Sequence, residues 1–95
     1  MTEWIAEREL LFEAIASGAR KTVTIRVGAP KWLVDENCAA CPVEWDGLFG
    51  RLADLRGVDM LQALRLASDV DSVLQRLRAE YRISWPSGES YFDDE

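Results

Sequence analysis

Hydrophobic and polar positions alternate most cleanly over Thr22-Val23-Thr24-Ile25-Arg26-Val27, where β-branched residues recur and Val23, Ile25 and Val27 share one face. That pattern predicts a strand, and Gly28-Ala29-Pro30 breaks it. The stretch before it, Trp4 to Ala16, supports two readings. Leu11, Phe12 and Ile15 fit one side of a helix, whereas Leu10, Phe12 and Ala14 alternate with Leu11 and Glu13 as in a strand. Ser17-Gly18-Ala19-Arg20 between the two runs has the length of a hairpin connection, so residues 7–15 and 21–27 are expected to pair antiparallel.

Residues 28–40 read as a loop, with Pro30, Asp35, Glu36 and Asn37 supplying turn chemistry and Trp32 an exception to its polarity. Alternation resumes at Pro42-Val43-Glu44-Trp45-Asp46, with Cys41, Val43 and Trp45 on one face and Glu44 and Asp46 on the other. Pro42 has no N–H, which suits the start of an edge strand. Gly47, Gly50 and Gly57 punctuate the next stretch, whose Leu48, Leu52, Leu55 and Val58 are expected to cover one end of the core.

At Asp59 the period changes from two to about 3.6. Asp59 with Gln62 three residues on forms a capping box, and a helix of roughly 22 residues, about 33 Å, is expected from there to Glu80. Met60, Ala63, Leu64, Ala67, Val70, Leu74, Leu77 and Tyr81 share one stripe, which Leu66 and Val73 widen. Leu61 projects elsewhere, among Arg65, Ser68 and Ser72. Arg82-Ile83-Ser84-Trp85 then reads as a short last strand closed by Pro86-Ser87-Gly88, Tyr91 and Phe92 can return alongside it, and the acidic tail 93–95 is expected to fray. The expectation is therefore one α+β domain over residues 1–95, with about four antiparallel strands in β-β-β-α-β order and one long helix across one face.

Charge changes the picture because it is unevenly placed. Residues 1–34 hold four acids against five bases, 35–59 six against two, and 60–95 seven against four. A net charge of −6 without a basic stripe disfavours direct binding to nucleic acid and favours a basic protein partner. No run approaches the length of a membrane-crossing helix. Met1-Thr2-Glu3-Trp4 has neither the basic nor the apolar region of an export signal, so the cytoplasm and reduced thiols are expected.

Candidate chemistry is sparse. With no histidine, acid–base catalysis would fall to carboxylate pairs such as Glu7/Glu9, Asp35/Glu36 or Glu44/Asp46, which read more simply as solvated faces. Gly47-x-x-Gly50 lacks the lysine of a phosphate loop. Cys38-Ala39-Ala40-Cys41 has the C-x-x-C spacing but only two of four zinc ligands, and it precedes a strand rather than the helix N-terminus a redox dithiol uses. Cys41 fits a small buried hydrophobe. No catalytic, metal or cofactor-binding residue is assigned, and an enzyme is not expected.

The order of these motifs resembles a family of small bacterial proteins classed as a domain of unknown function. The resemblance rests on a hairpin ending Val27-Gly28-Ala29-Pro30, the Cys41-Pro42-Val43 strand, the block Gly57-Val58-Asp59-Met60-Leu61-Gln62-Ala63-Leu64 and the strand Ile83-Ser84-Trp85. It covers most of the chain. It implies an α+β fold, a bacterial or phage setting and no activity; Cys38 departs from a pattern with one cysteine at the position of Cys41. Nine arginines against two lysines agree with a GC-rich source.

The leading expectation is a non-enzymatic, acidic inhibitor that binds and blocks a basic or nucleic-acid-binding protein, of immunity, antitoxin or anti-CRISPR type. Its candidate contact residues are Trp32, Asp35, Glu36, Glu44, Asp46, Asp54 and Leu61. One alternative is a structural homodimer built on the broad helix stripe and Leu61. Another is a thiol-redox or metal-binding role for Cys38 and Cys41.

Overall fold

The structure, a computed structural model, describes residues 3–92. The chain folds as α+β with antiparallel sheets and one helical segment. Instead of about four strands it has eight among the described residues, in two sheets. In chain order these are β1 (Trp4–Ala14), β2 (Arg20–Gly28), β3 (Lys31–Leu33), β4 (Cys38–Cys41), β5 (Val43–Asp46), β6 (Gly50–Arg51), β7 (Leu55–Gly57), helices α1 (Met60–Ser68) and α2 (Val70–Leu77), and β8 (Tyr81–Ser84). The five-stranded sheet runs β6-β5-β2-β1-β8, and the three-stranded sheet β3-β4-β7.

The extra strands come from three long strands that bend together. β2 pairs with β5, and their continuations β3 and β4 pair with each other. Between the two ladders Gly28, Ala29 and Pro30 lie opposite only Cys41 and Pro42, so the register slips by one residue, as in a β-bulge. The breaker and the proline are thus corners rather than ends. Pro42 offers no amide hydrogen, but its carbonyl accepts from Gly28 N at 2.9 Å, and the Cys41 thiol donates to the Gly28 carbonyl at 3.2 Å. A Cβ on Gly28 would come within 2.9 Å of Pro42 Cγ. The third strand turns the same corner as β6 becomes β7, with Leu52 N donating to the Val43 carbonyl at 3.2 Å. What reads as a loop over 28–40 is therefore the far half of a hairpin, capped by a 3₁₀ turn at Val34–Glu36 and left-handed Asn37 (φ 50°).

The ambiguity in the opening stretch resolves as strand. β1 lies between β2 and β8, so its backbone bonds on both sides, and Leu10 and Phe12 are fully buried while Glu7 and Glu9 face out. Tertiary pairing outweighs the helical propensity of its Leu and Glu residues. Strand β8 pairs over Leu11–Ala14, and Ser84 forms a single bridge with Ser90 in place of a full returning strand. The tail 93–95 lies outside the described residues.

The helix opens as the capping box demands: Asp59 Oδ1 accepts from Gln62 N at 2.8 Å. Gln62 Oε1 answers by accepting from Val58 N at 2.7 Å. It does not run unbroken to Glu80. Asp69 leaves helical geometry at φ −79°, ψ 66°, where its carboxylate accepts from the Ser72 hydroxyl at 2.9 Å, so the segment restarts as α2. The buried stripe is accordingly narrower than its sequence suggests. Ala63, Ala67, Val70 and Leu74 are buried, Leu64, Val73 and Leu77 pack partly, and Met60 and Leu66 face solvent. The small side chains set this width, because α1 lies close against β4 and β7. Leu48 and Leu55 join the core as expected, while Leu52 and Val58 remain exposed.

One cluster of buried side chains joins the layers. It includes Leu10, Phe12, Val23, Ile25, Cys41, Val43, Trp45, Leu74 and Ile83. Arg8 pins the C-terminal segment onto it, stacking on Trp85 and Tyr91 and donating to the Tyr91 hydroxyl at 2.7 Å, while Tyr91 in turn hydrogen-bonds Asp71.

The helix–sheet contact is the most demanding one. A Cβ on Gly57 would stand 2.6 Å from Ala63 N, a backbone atom that cannot swing away. Gly57→Ala is therefore expected to destabilise the chain by about 1–3 kcal/mol, an overpacking cost. Denaturant titration of the variant against wild type measures it. No loss at Gly57 would show that α1 can lift without penalty.

Candidate functional site

The bulge decides which side chains meet. On the first long strand Val23, Ile25 and Val27 face the core; the slip at Gly28–Pro30 transfers that side to an even-numbered residue, Trp32. Trp32 lies opposite Ala39, Ala39 lies opposite Gly57, and Gly57 faces Ala63 of α1. Trp32 therefore stands on the helix side of the small sheet. It lines a shallow depression of about 490 Å³ with Asn37, Cys38, Arg56, Gly57, Val58 and Gln62. Val58 and Gln62 also line the adjoining depression of about 590 Å³, with Asp59, Leu61, Leu64, Arg65 and Ser68.

Together these make one strip along the hairpin and the first turns of α1. Its apolar members are strongly exposed: Trp32 44%, Val58 75% and Leu61 78%. Two of the contact candidates read from the residues, Trp32 and Leu61, thus meet through Val58 and Gln62. Val58 joins them without being singled out by its pattern. Val58 reads as core because it follows Leu48, Leu52 and Leu55 in hydrophobicity, and only the tight turn into the cap places it outside. Trp4 is partly covered and stacks against Arg51, while Trp45 is buried at 3%.

The acidic candidates separate from the strip or carry partners of their own. Glu44 and Asp46 lie on the outer face of the five-stranded sheet, opposite the core. There Arg26 reaches Glu44 at 3.1 Å, Glu7 at 3.2 Å and Asp46 at 3.3 Å, tying three strands. The guanidinium is held more firmly protonated by Glu44 and then Asp46. Glu13 pairs with Arg20 on the same face. Asp54 pairs with Arg51 at 3.1 Å on the β6–β7 connection. Glu36 pairs with Arg56, whose guanidinium also reaches Cys38 Sγ at 3.6 Å. Asp35, which lines neither depression, makes no ion pair among the described residues, and neither does Arg65.

The two thiols do not form a joint site. β4 is a strand, so positions three apart point to opposite faces and stand about 10 Å apart along it. That spacing defeats both a disulfide and chelation of one ion by the pair. Cys41 is fully buried, and burial pushes its thiol pKa up. No group of three or more acidic, cysteine or histidine side chains is placed to hold a metal ion among the described residues, and none of the helices there is long and apolar enough to cross a membrane. No protein-family model, curated protein or solved structure matches the chain.

The buried groups give this geometry two checks. A thiol reagent such as DTNB should titrate one cysteine of the native chain, half-buried Cys38, and the second only on unfolding; equal rates would contradict the burial of Cys41. Burial also raises the Tyr91 phenol, aided by Asp71. Because both groups lose their protons at lower pH in the unfolded chain, the stability they confer is whole at neutral pH. It declines as pH rises through about 9. Urea titrations from pH 7 to 10.5 should show that decline, and Cys41→Ala should flatten its onset.

Proposed function

We propose that this chain is a non-enzymatic protein-binding domain that acts by covering part of another protein, with the Trp32–Val58–Leu61 strip as its contact surface. The observation that supports the reading most is that exposed Trp32, Val58 and Leu61 line two adjoining depressions. Neighbouring exposed apolar side chains that include a tryptophan are the composition of an interface centre, where a few large side chains supply most of the affinity. The partner is a basic or nucleic-acid-binding protein, and the setting one of immunity, antitoxin or anti-CRISPR-type inhibition in a bacterium or phage. The net charge of −6 and the family resemblance support that setting. Charge acts here as a long-range bias toward a positive partner, since Glu36, Glu44, Asp46 and Asp54 are each engaged by an arginine of the same chain.

The test is affinity capture from the native host with three baits: wild type, Leu61→Glu with Trp32→Ala, and Glu44→Gln with Asp46→Asn. A captured protein should be lost about 100-fold with the strip variant, as two interface anchors of roughly 1–2 kcal/mol each imply, and retained with the outer-face variant. Loss with the outer-face variant and retention with the strip variant would move the interface to the other side of the molecule and overturn the reading.

A further inference from the structure

We infer that β1 carries a second docking site, an open strand edge at Glu7 and Glu9 that takes up an extended protein segment of alternating basic and apolar residues. It lies apart from the strip of Trp32 and Leu61 and does not rest on the reading of that strip.

The edge follows from the register. Backbone groups of a strand point alternately to its two sides. Ala14 N donates to the Ala19 carbonyl on the β2 side, and Ile15 N to the Glu80 carbonyl on the β8 side. Odd-numbered residues, from Ile15 back to Glu7, therefore turn their N–H and C=O toward the β8 side. β8 answers only over residues 11–14. The next place on that side, opposite Glu9, falls to Pro86, which has no N–H to give. There the chain turns away, with Gly88 N donating to the Trp85 carbonyl at 2.8 Å. Glu7 and Glu9 thus each keep an N–H and a C=O without a protein partner among the described residues.

Length and surroundings single this edge out. Seven residues of β1, 4–10, have no strand on the β8 side, whereas the other free stretches of strand are four residues or shorter. The outer side of β8 is itself met by the returning segment, Tyr91 N donating to the Ile83 carbonyl at 3.0 Å. Beneath the open edge, on the helix side, Ala6, Arg8, Ile25, Val27, Ser68 and Val70 line a depression of about 120 Å³. On the opposite face stand two carboxylates. Glu9 makes no ion pair among the described residues, and Glu7 shares Arg26 with Glu44 and Asp46.

These features set the chemistry of the occupant. Residues directly across a ladder point to the same face. Those opposite Glu7 and Glu9 lie on the outer face, where lysine or arginine complements the carboxylates. Those opposite Ala6 and Arg8 turn to the helix side, where the depression admits a side chain the size of valine. Main-chain bonds then supply affinity, and the alternate side chains select the sequence.

The probe is a capped peptide, acetyl-Thr-Val-Lys-Val-Lys-Val-Thr-amide, whose order reads the same in both directions. Amide exchange is followed by NMR on the full nitrogen-15-labelled chain. Without peptide, the Glu7 and Glu9 amides should exchange fast, and those of Arg8 and Leu10, bonded to β2, slowly. A Kd of about 1 mM leaves roughly one chain in six free at about 5 mM peptide, so exchange at Glu7 and Glu9 should slow about sixfold. N-methylation of both lysines removes the N–H groups aimed at β1 and should abolish the slowing. N-methylation of the central valine, whose N–H points away, should preserve it. Glu9→Lys should weaken binding about threefold, the loss of an exposed charge pair. Protected Glu7 and Glu9 amides in the free chain, no slowing at the highest peptide concentration, or equal effects of the two methylation patterns would each overturn the inference.

Discussion

The corner formed by Gly28, Cys41 and Pro42 is the constraint on which the other features depend. Pro42 removes one amide from the middle of a central strand, where every other residue has to bond on both sides. The chain meets this by slipping one residue: the neighbouring strand places three residues against two, and Gly28 N donates to the Pro42 carbonyl at 2.9 Å. Bending all three long strands at that level splits one meander into two sheets. The large sheet then closes its core with Leu10, Phe12, Ile25 and Trp45, and the small one receives α1. Because side chains alternate with a period of two, the same slip carries Trp32 to the helix side. Without the extra residue it would point away from Leu61, and the strip would not exist.

Much of this is legible in the residues. β2, β5 and β8 follow from β-branched and aromatic alternation, and the helix start follows from Asp59 and Gln62, whose two capping bonds form as their spacing implies. Buried Trp45 also follows from its phase, while the phase of Leu61 shows only that it lies off the helix stripe and the structure that it is exposed. Pairing across the corner is not legible. Lys31–Leu33 and Cys38–Cys41 are too short to show a period, and two prolines beside them are ordinary marks of a loop. Only the neighbouring strands, distant in sequence, supply the bonds that make them sheet. The break at Asp69 is hidden for a related reason: apolar phase continues from Ala67 to Val70, while the interruption comes from the Ser72–Asp69 side-chain bond.

The candidate site is half legible for a physical reason that concerns charge. Sequence shows which residues are acidic and how many; it does not show which arginine lies across a ladder. No acid stands near Arg26 along the chain, yet its register places it between Glu7 and Glu44. The cluster of acids after residue 34 therefore overstates the negative surface. Glu44 and Asp46 serve to hold β2 and β5 in register, a cross-strand role. An apolar residue, by contrast, keeps its meaning once exposed, because no internal partner neutralises it. Trp32 and Leu61 survive as contact candidates on that ground, and Val58 joins them through the turn that precedes the cap.

Separate tasks thereby fall to the two faces of the molecule. An antiparallel sheet with one covered face can leave the other to water, and here that outer face is stitched by opposite charges across β1, β2 and β5. The helix side carries Trp32 and Leu61 on rigid supports: Trp32 on a strand fixed by Ala39, Leu61 on a helix held by a capping box and seated on Gly57. Rigid placement matters because side chains already held in position lose less freedom when a partner covers them. The same tight seat that excludes a methyl group at Gly57 is therefore what fixes the spacing between Trp32 and Leu61. Stability at the helix–sheet contact and geometry at the strip are set by one close approach, so a substitution that lifts α1 changes the spacing of Trp32 and Leu61 even where the fold survives.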